Sequence, residues 1–241
     1  MSVRRFHPSI PAIVFVTWWV VAAIVFPHRM LNADGDMLRH ISHGRWMLEH
    51  GRLITEDPFS FSKGGQPFVA FEYGSQLIYA SVFELAGLAG VAIFAALLIA
   101  TAYALLARFL LRRGVDPLLA YLATIPAAVL GAVHWVPRPH LFTLVAVVVL
   151  LSLLETEGRK DGKTEGDSGA RFRPSVLPSF RLLTLTAILF ATWANLHGGF
   201  LFGLVLIGMY LVADVAELLF GPTEAGSRAP SAERRAAPVR R

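Results

Sequence analysis

Asp34 and Asp36 stand two residues apart, and His40 follows four residues later, in the run Asp34-Gly-Asp36-Met-Leu-Arg-His40. Carboxylates at this spacing suit general acid–base chemistry, and such charges are costly to keep beside a bilayer. His40 and His43 have a spacing compatible with metal binding, with Asp36 as a third ligand. Glu72 supplies another acid further along. Arg138 sits between two prolines, followed by His140. Its guanidinium could snorkel to an interface or hold an anionic phosphate. Asn195 and His197 close a third polar cluster, Trp193-Ala-Asn195-Leu-His197-Gly-Gly. Each group also has a plainer use. Asp34 or Asp36 can cap a helix, Glu72 can sit on a solvated face, and Asn195 and His197 can cap a helix end.

These residues need elements to carry them, and the composition indicates which. The chain has 241 residues, 55% hydrophobic and 16% charged. Soluble domains carry about 25% charged residues. The apolar residues come in long blocks, the pattern of membrane spans. There is no cysteine, so disulfides, thiolate metal sites and a cysteine nucleophile are excluded. The net charge of +5 lies between apolar blocks, where it reads as a topology signal and not as a nucleic-acid surface.

Six apolar segments are predicted as transmembrane helices: Ile10–Phe26, Leu85–Leu111, Pro117–Val136, His140–Leu154, Leu182–Leu196 and Phe200–Phe220. The fold expected is an all-α, polytopic integral membrane protein with a long first extracytoplasmic loop, residues 27–84. With the N-terminus cytoplasmic, 16 Lys and Arg residues fall inside and six outside, in accord with the positive-inside rule. Both termini are then cytoplasmic, as is loop 155–181, which is rich in Gly, Ser, Lys and Glu. The basic tail 221–241 reads as disordered. The transmembrane module is 1–220.

This topology sends the chemistry-bearing residues to one side. Helical spacing from Asp36 to His50 puts Asp36, His40, His43 and His50 on one arc. Met37, Leu38, Ile41 and Leu48 fall on another. The spacing predicts an amphipathic helix on the membrane surface, ended by Gly51. A second amphipathic stretch places Glu72, Gln76 and Tyr79 on one face and runs into the second span. The tryptophans Trp18, Trp19, Trp135 and Trp193 read as interfacial or core aromatics.

Several of these stretches resemble one family. Asp-x-Asp-x-x-x-His, Gly44-Arg-Trp-Met-Leu-Glu-His50-Gly51, Asp57-Pro-Phe-Ser60-Phe and Pro67-Phe-Val-Ala-Phe-Glu72-Tyr are similar to the first outer loop of bacterial membrane proteins of the GT-C glycosyltransferase superfamily. Arg138-Pro-His140 and Trp193-Ala-Asn195-Leu-His197-Gly-Gly-Phe are similar as well. The resemblance implies many transmembrane helices and two membrane-surface helices in the first outer loop. It implies transfer of a sugar from a polyprenyl-phosphate donor to an acceptor at the extracytoplasmic face of the bacterial inner membrane. Asp36 would be the loop acid, acting as base or binding a divalent cation (Mg or Mn) together with His40. Asp34 would be its partner and Glu72 a second acid. Arg138 and His140 would approach the donor phosphate, and Asn195 and His197 would complete the substrate-binding set. The family has a His-Glu-Trp stretch where this chain reads Phe71-Glu72-Tyr73. Family members also continue for several more spans, so a partner chain or a homo-oligomer is expected to supply the missing wall.

Two other classes compete with the enzyme. One is a non-catalytic or truncated membrane protein that serves as an assembly partner. The other is a transporter, against which the spans offer almost no ionisable residues at mid-depth.

Overall fold

The computed structural model describes residues 8–32, 35–161 and 179–220. Asp34, most of loop 155–181 and the tail 221–241 lie outside the described residues. Among the described residues the chain is all-helical, with one isolated β-bridge between Glu56 and Pro67. The helices are α1 (Ile10–Val20, continued by a π turn over Val21–Val25), α2 (Pro27–Asn32), α3 (Asp36–His50), α4 (Tyr73–Arg112), α5 (Pro117–Gly131, prolonged by a 3-10 turn over Ala132–His134), α6 (His140–Asp161), α7 (Phe180–Leu196) and α8 (Phe200–Phe220).

Local chemistry sets where they start. Ser9 caps α1 by accepting from the Ala12 amide at 3.4 Å. Asp116 caps α5 through the Leu118 amide at 2.8 Å, with Pro117 in the first turn, where a missing N–H costs nothing. Ser179 caps α7 through the Leu182 amide at 3.2 Å.

Three helices are long and apolar enough to cross a membrane: Tyr73–Arg112, Pro117–His134 and Phe200–Glu217. Ile10–Val25, His140–Glu155 and Phe180–Leu196 are apolar but shorter. Apolar helices therefore occupy all six expected segments, and three of them reach spanning length. Their outer faces carry large aliphatic groups, among them Leu118, Leu119, Val129 and Leu130 on α5. Such a contiguous apolar surface suits lipid better than water.

α4 is two arms rather than one rod. A straight helix of 40 residues would run about 60 Å, roughly twice the hydrocarbon thickness. Gly87 breaks it with φ 62° and ψ −160°, a backbone conformation open essentially to glycine alone. The rings of Tyr79 and Phe94 consequently meet at 5.9 Å, although straight helix would put roughly 22 Å between the two positions. The arm before Gly87 is the second amphipathic stretch expected from sequence. The arm after it carries the second apolar segment.

The first arm packs on α3, and this corrects the expected assignment of residues to the two faces of α3. The buried face of α3 is Met37, His40, Ile41, Gly44 and Met47, a stripe at helical spacing. His40 is 2% exposed and His43 5%, so neither lies on an open arc. Leu38 and Leu48 are the exposed residues instead. The expected arcs mixed the two faces because the surface opposite the buried face of α3 is the first arm of α4. Gly44 makes that packing feasible: a Cβ there would overlap the Gln76 carbonyl and the Ala80 side chain. Gln76 and Tyr79, on the opposing arm, are likewise buried. Gly51 ends α3 as expected.

α4 also contacts α1, α5, α6 and α7. At its second arm Trp18, Tyr103 and Trp135 form a cluster, with Trp18 at 5.5 Å from Tyr103 and 5.9 Å from Trp135. The Trp18 indole donates to Thr124 Oγ1 at 3.0 Å, tying α1 to α5. Trp18, Trp135 and Trp193 are core residues. The described residues up to Leu204 form one compact unit, and a second begins at Val205. In the second unit, the described residues are the remainder of α8.

Candidate functional site

The first turn of α3, the start of α4, the start of α6 and the end of α7 converge on one cavity of about 580 Å3. Asp36, Arg39, His40, Glu72, Arg138, His140 and His197 line it, and His134 joins them from the turn after α5. Six of the expected site residues therefore meet: Asp36, His40, Glu72, Arg138, His140 and His197.

Asp36 and Arg138 are ion-paired across the cavity, 2.6 Å between Oδ2 and Nη2. Arg39, one turn after Asp36, brings its Nε to 3.5 Å from Oδ1. The helix N-cap itself is Gly35, and the Asp36 carboxylate serves the two guanidinium groups. Arg138 is aimed by its backbone. Its amide donates to the Val136 carbonyl at 2.7 Å, and its carbonyl accepts from the buried Tyr79 hydroxyl at 3.0 Å. Prolines on both sides restrict the remaining freedom.

Glu72, at the N-cap of α4, lines the cavity. Burial pushes its carboxyl pKa up, and the negative charge of Asp36 acts in the same direction. Arg39, Arg138 and the Gly198 amide pull it down without cancelling the rise. Two imidazoles flank the carboxylate: His197 Nε2 at 3.6 Å and His40 Nδ1 at 4.0 Å. Burial lowers the His40 pKa to about 4, with Arg39 adding to the effect. Burial also lowers that of His197, helped by His140. Both rings are therefore neutral at neutral pH, and neither contact is an ion pair.

The His197 tautomer follows from its hydrogen bonds. Nδ1 lies 3.0 Å from the Gly199 amide, which can only donate, so Nδ1 accepts. Thr143 Oγ1 lies 2.8 Å from the same nitrogen. The Trp193 indole donates to that hydroxyl oxygen at 2.8 Å, which leaves the hydroxyl proton for His197. The ring proton then sits on Nε2 and faces Glu72. This assignment comes from the network of donors and acceptors. His140 Nε2 donates to the His134 carbonyl at 2.7 Å.

Other expected residues fall elsewhere. Asn195 is exposed, and its amide donates back to the Ala191 carbonyl at 2.6 Å. His43 faces a different cavity from His40, so the pair does not share a ligand. His50 stacks on Trp46 at 4.1 Å. Asp34 lies outside the described residues. Among the described residues no three His, Asp or Glu side chains are grouped to hold a metal ion. Asp36, the expected ligand, directs both oxygens at guanidinium groups. Arg39, His134 and Thr143 were missed. Arg39 and Thr143 each stand one helical turn after a site residue, Asp36 and His140, and that spacing was the available signal.

Neither a protein-family model, nor a curated protein, nor a solved structure matches the chain.

Proposed function

We propose that the chain is a multi-pass membrane protein whose cleft transfers a sugar from a polyprenyl-phosphate donor to an acceptor hydroxyl on the extracytoplasmic side. The observation that carries the reading is the placement of a half-buried carboxylate, Glu72, beside the guanidinium pair Arg39 and Arg138 in one polar cleft. The pair is suited to a phosphate, and Arg138 can exchange part of its Asp36 contact for a bidentate one. The acceptor oxygen bonds to the anomeric carbon as the bond from that carbon to the phosphate oxygen breaks. The phosphate leaves with the electron pair, and its charge is met by Arg138 and Arg39. The acceptor proton passes to Glu72.

This assigns the proton acceptor to Glu72 and gives Asp36 the task of orienting the arginines. A carboxylate whose pKa is raised by burial is the better base of the two near neutral pH. Six helices cross the membrane in this reading, with the short ones recessed on the cleft side, where polar backbone can line a water-filled cavity.

The test is mass spectrometry of lipids bound to the protein in nanodiscs, paired with a transfer assay. Polyprenyl phosphate should co-purify with the parent and be lost with Arg138→Ala. Glu72→Gln should keep the lipid and lose about 10²- to 10⁴-fold in rate. Retention of the lipid by Arg138→Ala would remove the phosphate site from the cleft.

A further inference from the structure

A second cavity, of about 340 Å3, lies on the other flank of Arg39, which lines both. One wall is a single face of α3, with Arg39, Ser42 and His43 at positions i, i+3 and i+4. The other wall is the loop between α3 and α4, and that loop is built. The Asp57 amide donates to the Gln66 carbonyl at 2.9 Å, and the Phe68 amide donates to the Thr55 carbonyl at 2.8 Å. Asp57 Oδ1 accepts from the Phe59 and Ser60 amides, each at 2.9 Å. These bonds bring Phe59, Ser60 and Phe68 to the cavity.

His43 is the unusual member. It stacks on Phe68 at 5.3 Å and 14°, and meets Phe59 edge-on at 5.1 Å. Burial lowers its pKa, with Arg39 contributing, so the ring is neutral. The Arg39 carbonyl one turn back acts in the opposite sense, yet buried Nδ1 has no partner in hydrogen-bond geometry. An apolar side chain would fill this aromatic box without the cost of an unmade hydrogen bond, about 1–3 kcal/mol.

The lining selects a ligand class by elimination. An anion bound at Arg39 would meet the Asp57 carboxylate. A cation bound at Asp57 would meet Arg39. A purely apolar group would offer no hydrogen bond to Arg39 or to Asp57, which line the cavity. A small neutral ring with hydroxyls around its edge and C–H groups on its faces uses all of them, with aromatic rings for the faces and charged, planar groups for the hydroxyls. The volume is at the lower end for ligand pockets, about 300–1,000 Å3, and so suits one such ring. We propose that this cavity is a saccharide subsite that holds one sugar unit of the acceptor. Its reacting hydroxyl passes Arg39 to reach Glu72. The acceptor role rests on the transfer reaction proposed above, whereas saccharide binding does not.

The test uses the full chain in nanodiscs with labelled histidine rings, followed by NMR. The probes are methyl glucoside, methyl mannoside, methyl arabinofuranoside and N-acetylglucosamine, each to about 0.1 M, which reaches millimolar affinities. Glycerol and inorganic phosphate are the controls. At least one glycoside should move the His43 ring signals saturably while His134 and His140 stay in place. Ser42→Leu, which fills the cavity, should weaken that response at least tenfold, and Phe59→Ala should weaken it as well. Glu72→Gln should leave it intact, so failure of the transfer reading and failure of the subsite are separable. The absence of a saturable His43 response to every glycoside would overturn the proposal. So would a response to phosphate or glycerol equal to that for the sugars.

Discussion

The Thr143 hydroxyl lies 2.8 Å from Nδ1 of His197, on the side of the ring that faces away from Glu72. The hydroxyl accepts from Trp193 and donates to the imidazole, so a buried indole two steps away helps decide which nitrogen presents a proton to the carboxylate. Thr143 and Trp193 are thus positioning residues. In the proposed reaction they touch no reacting atom, yet they fix the ring that lies beside Glu72.

That relation predicts a graded response at Thr143. Thr143→Val removes the donor to Nδ1 and strands the Trp193 N–H, while Thr143→Ser keeps both bonds. The valine variant should lower kcat about fivefold, the equivalent of one net hydrogen bond near 1 kcal/mol, with acceptor KM unchanged. The serine variant should restore kcat. Nitrogen NMR on labelled histidine should show His197 protonated at Nε2 in the parent, and a displaced Nδ1 signal only in the valine variant. A proton found on Nδ1 of the parent would contradict the chain of donors.

Glu72 should oppose stability where it supports activity. Its pKa is raised in the folded protein. Its contribution is therefore fully favourable below the unfolded carboxyl pKa and is lost as pH rises through the folded value. At neutral pH the charged form destabilises the fold. Glu72→Gln should raise the Tm at pH 7 and leave it little changed at pH 4, while transfer is lost. Parent activity should rise with pH through a midpoint above the ordinary glutamate range as the carboxylate becomes available. A Glu72→Gln protein less stable than the parent at pH 7 would contradict the burial argument.

The proposed orientation can be read by impermeant thiol labelling, since the chain has no native cysteine. Ser60 lies in the loop between α3 and α4, and Val115 lies between α4 and α5. Cysteine at position 60 should label in intact cells, and cysteine at 115 only after permeabilisation. The reverse pattern would invert the topology, and the cleft would face the cytoplasm.

Much of the site was legible because its residues are individually expensive. Acids, an arginine between prolines and histidines at apolar boundaries stand out against the blocks around them, and alternation of helix direction then brings Asp36, Glu72, Arg138 and His197 to one end. The division of α4 was legible too, from the change in pattern before Leu85, although Gly87 as the break was not singled out. The inward face of α3 was not legible. A periodic pattern gives the angle between residues but not the identity of the surface opposite, and here a protein helix covers the face that holds His40. The roles proposed for Asp36 and Glu72 depend on which carboxylate meets guanidinium groups and which is desolvated, and that follows from packing between distant segments. Asn195 was read by its neighbours in sequence, yet its amide turns back onto its own helix.

Gly44 tests the element that positions half of the site. α3 and the first arm of α4 approach so closely that a Cβ on Gly44 would overlap the Gln76 carbonyl oxygen and carbon and the Ala80 methyl. Two of these three atoms are backbone, so a rotamer change cannot relieve the clash. Gly44→Ala should force the helices apart and cost about 1–3 kcal/mol, as overpacking does. Since α3 carries Asp36, Arg39 and His40, the cleft should loosen with it, and phosphate-lipid binding should fall together with Tm. Ala80→Gly does not move the Gln76 carbonyl, so it should rescue Gly44→Ala only in part. Thermal unfolding of the purified single and double variants in nanodiscs measures both effects. A Gly44→Ala protein with parental Tm would mean that α3 does not pack on α4 as described.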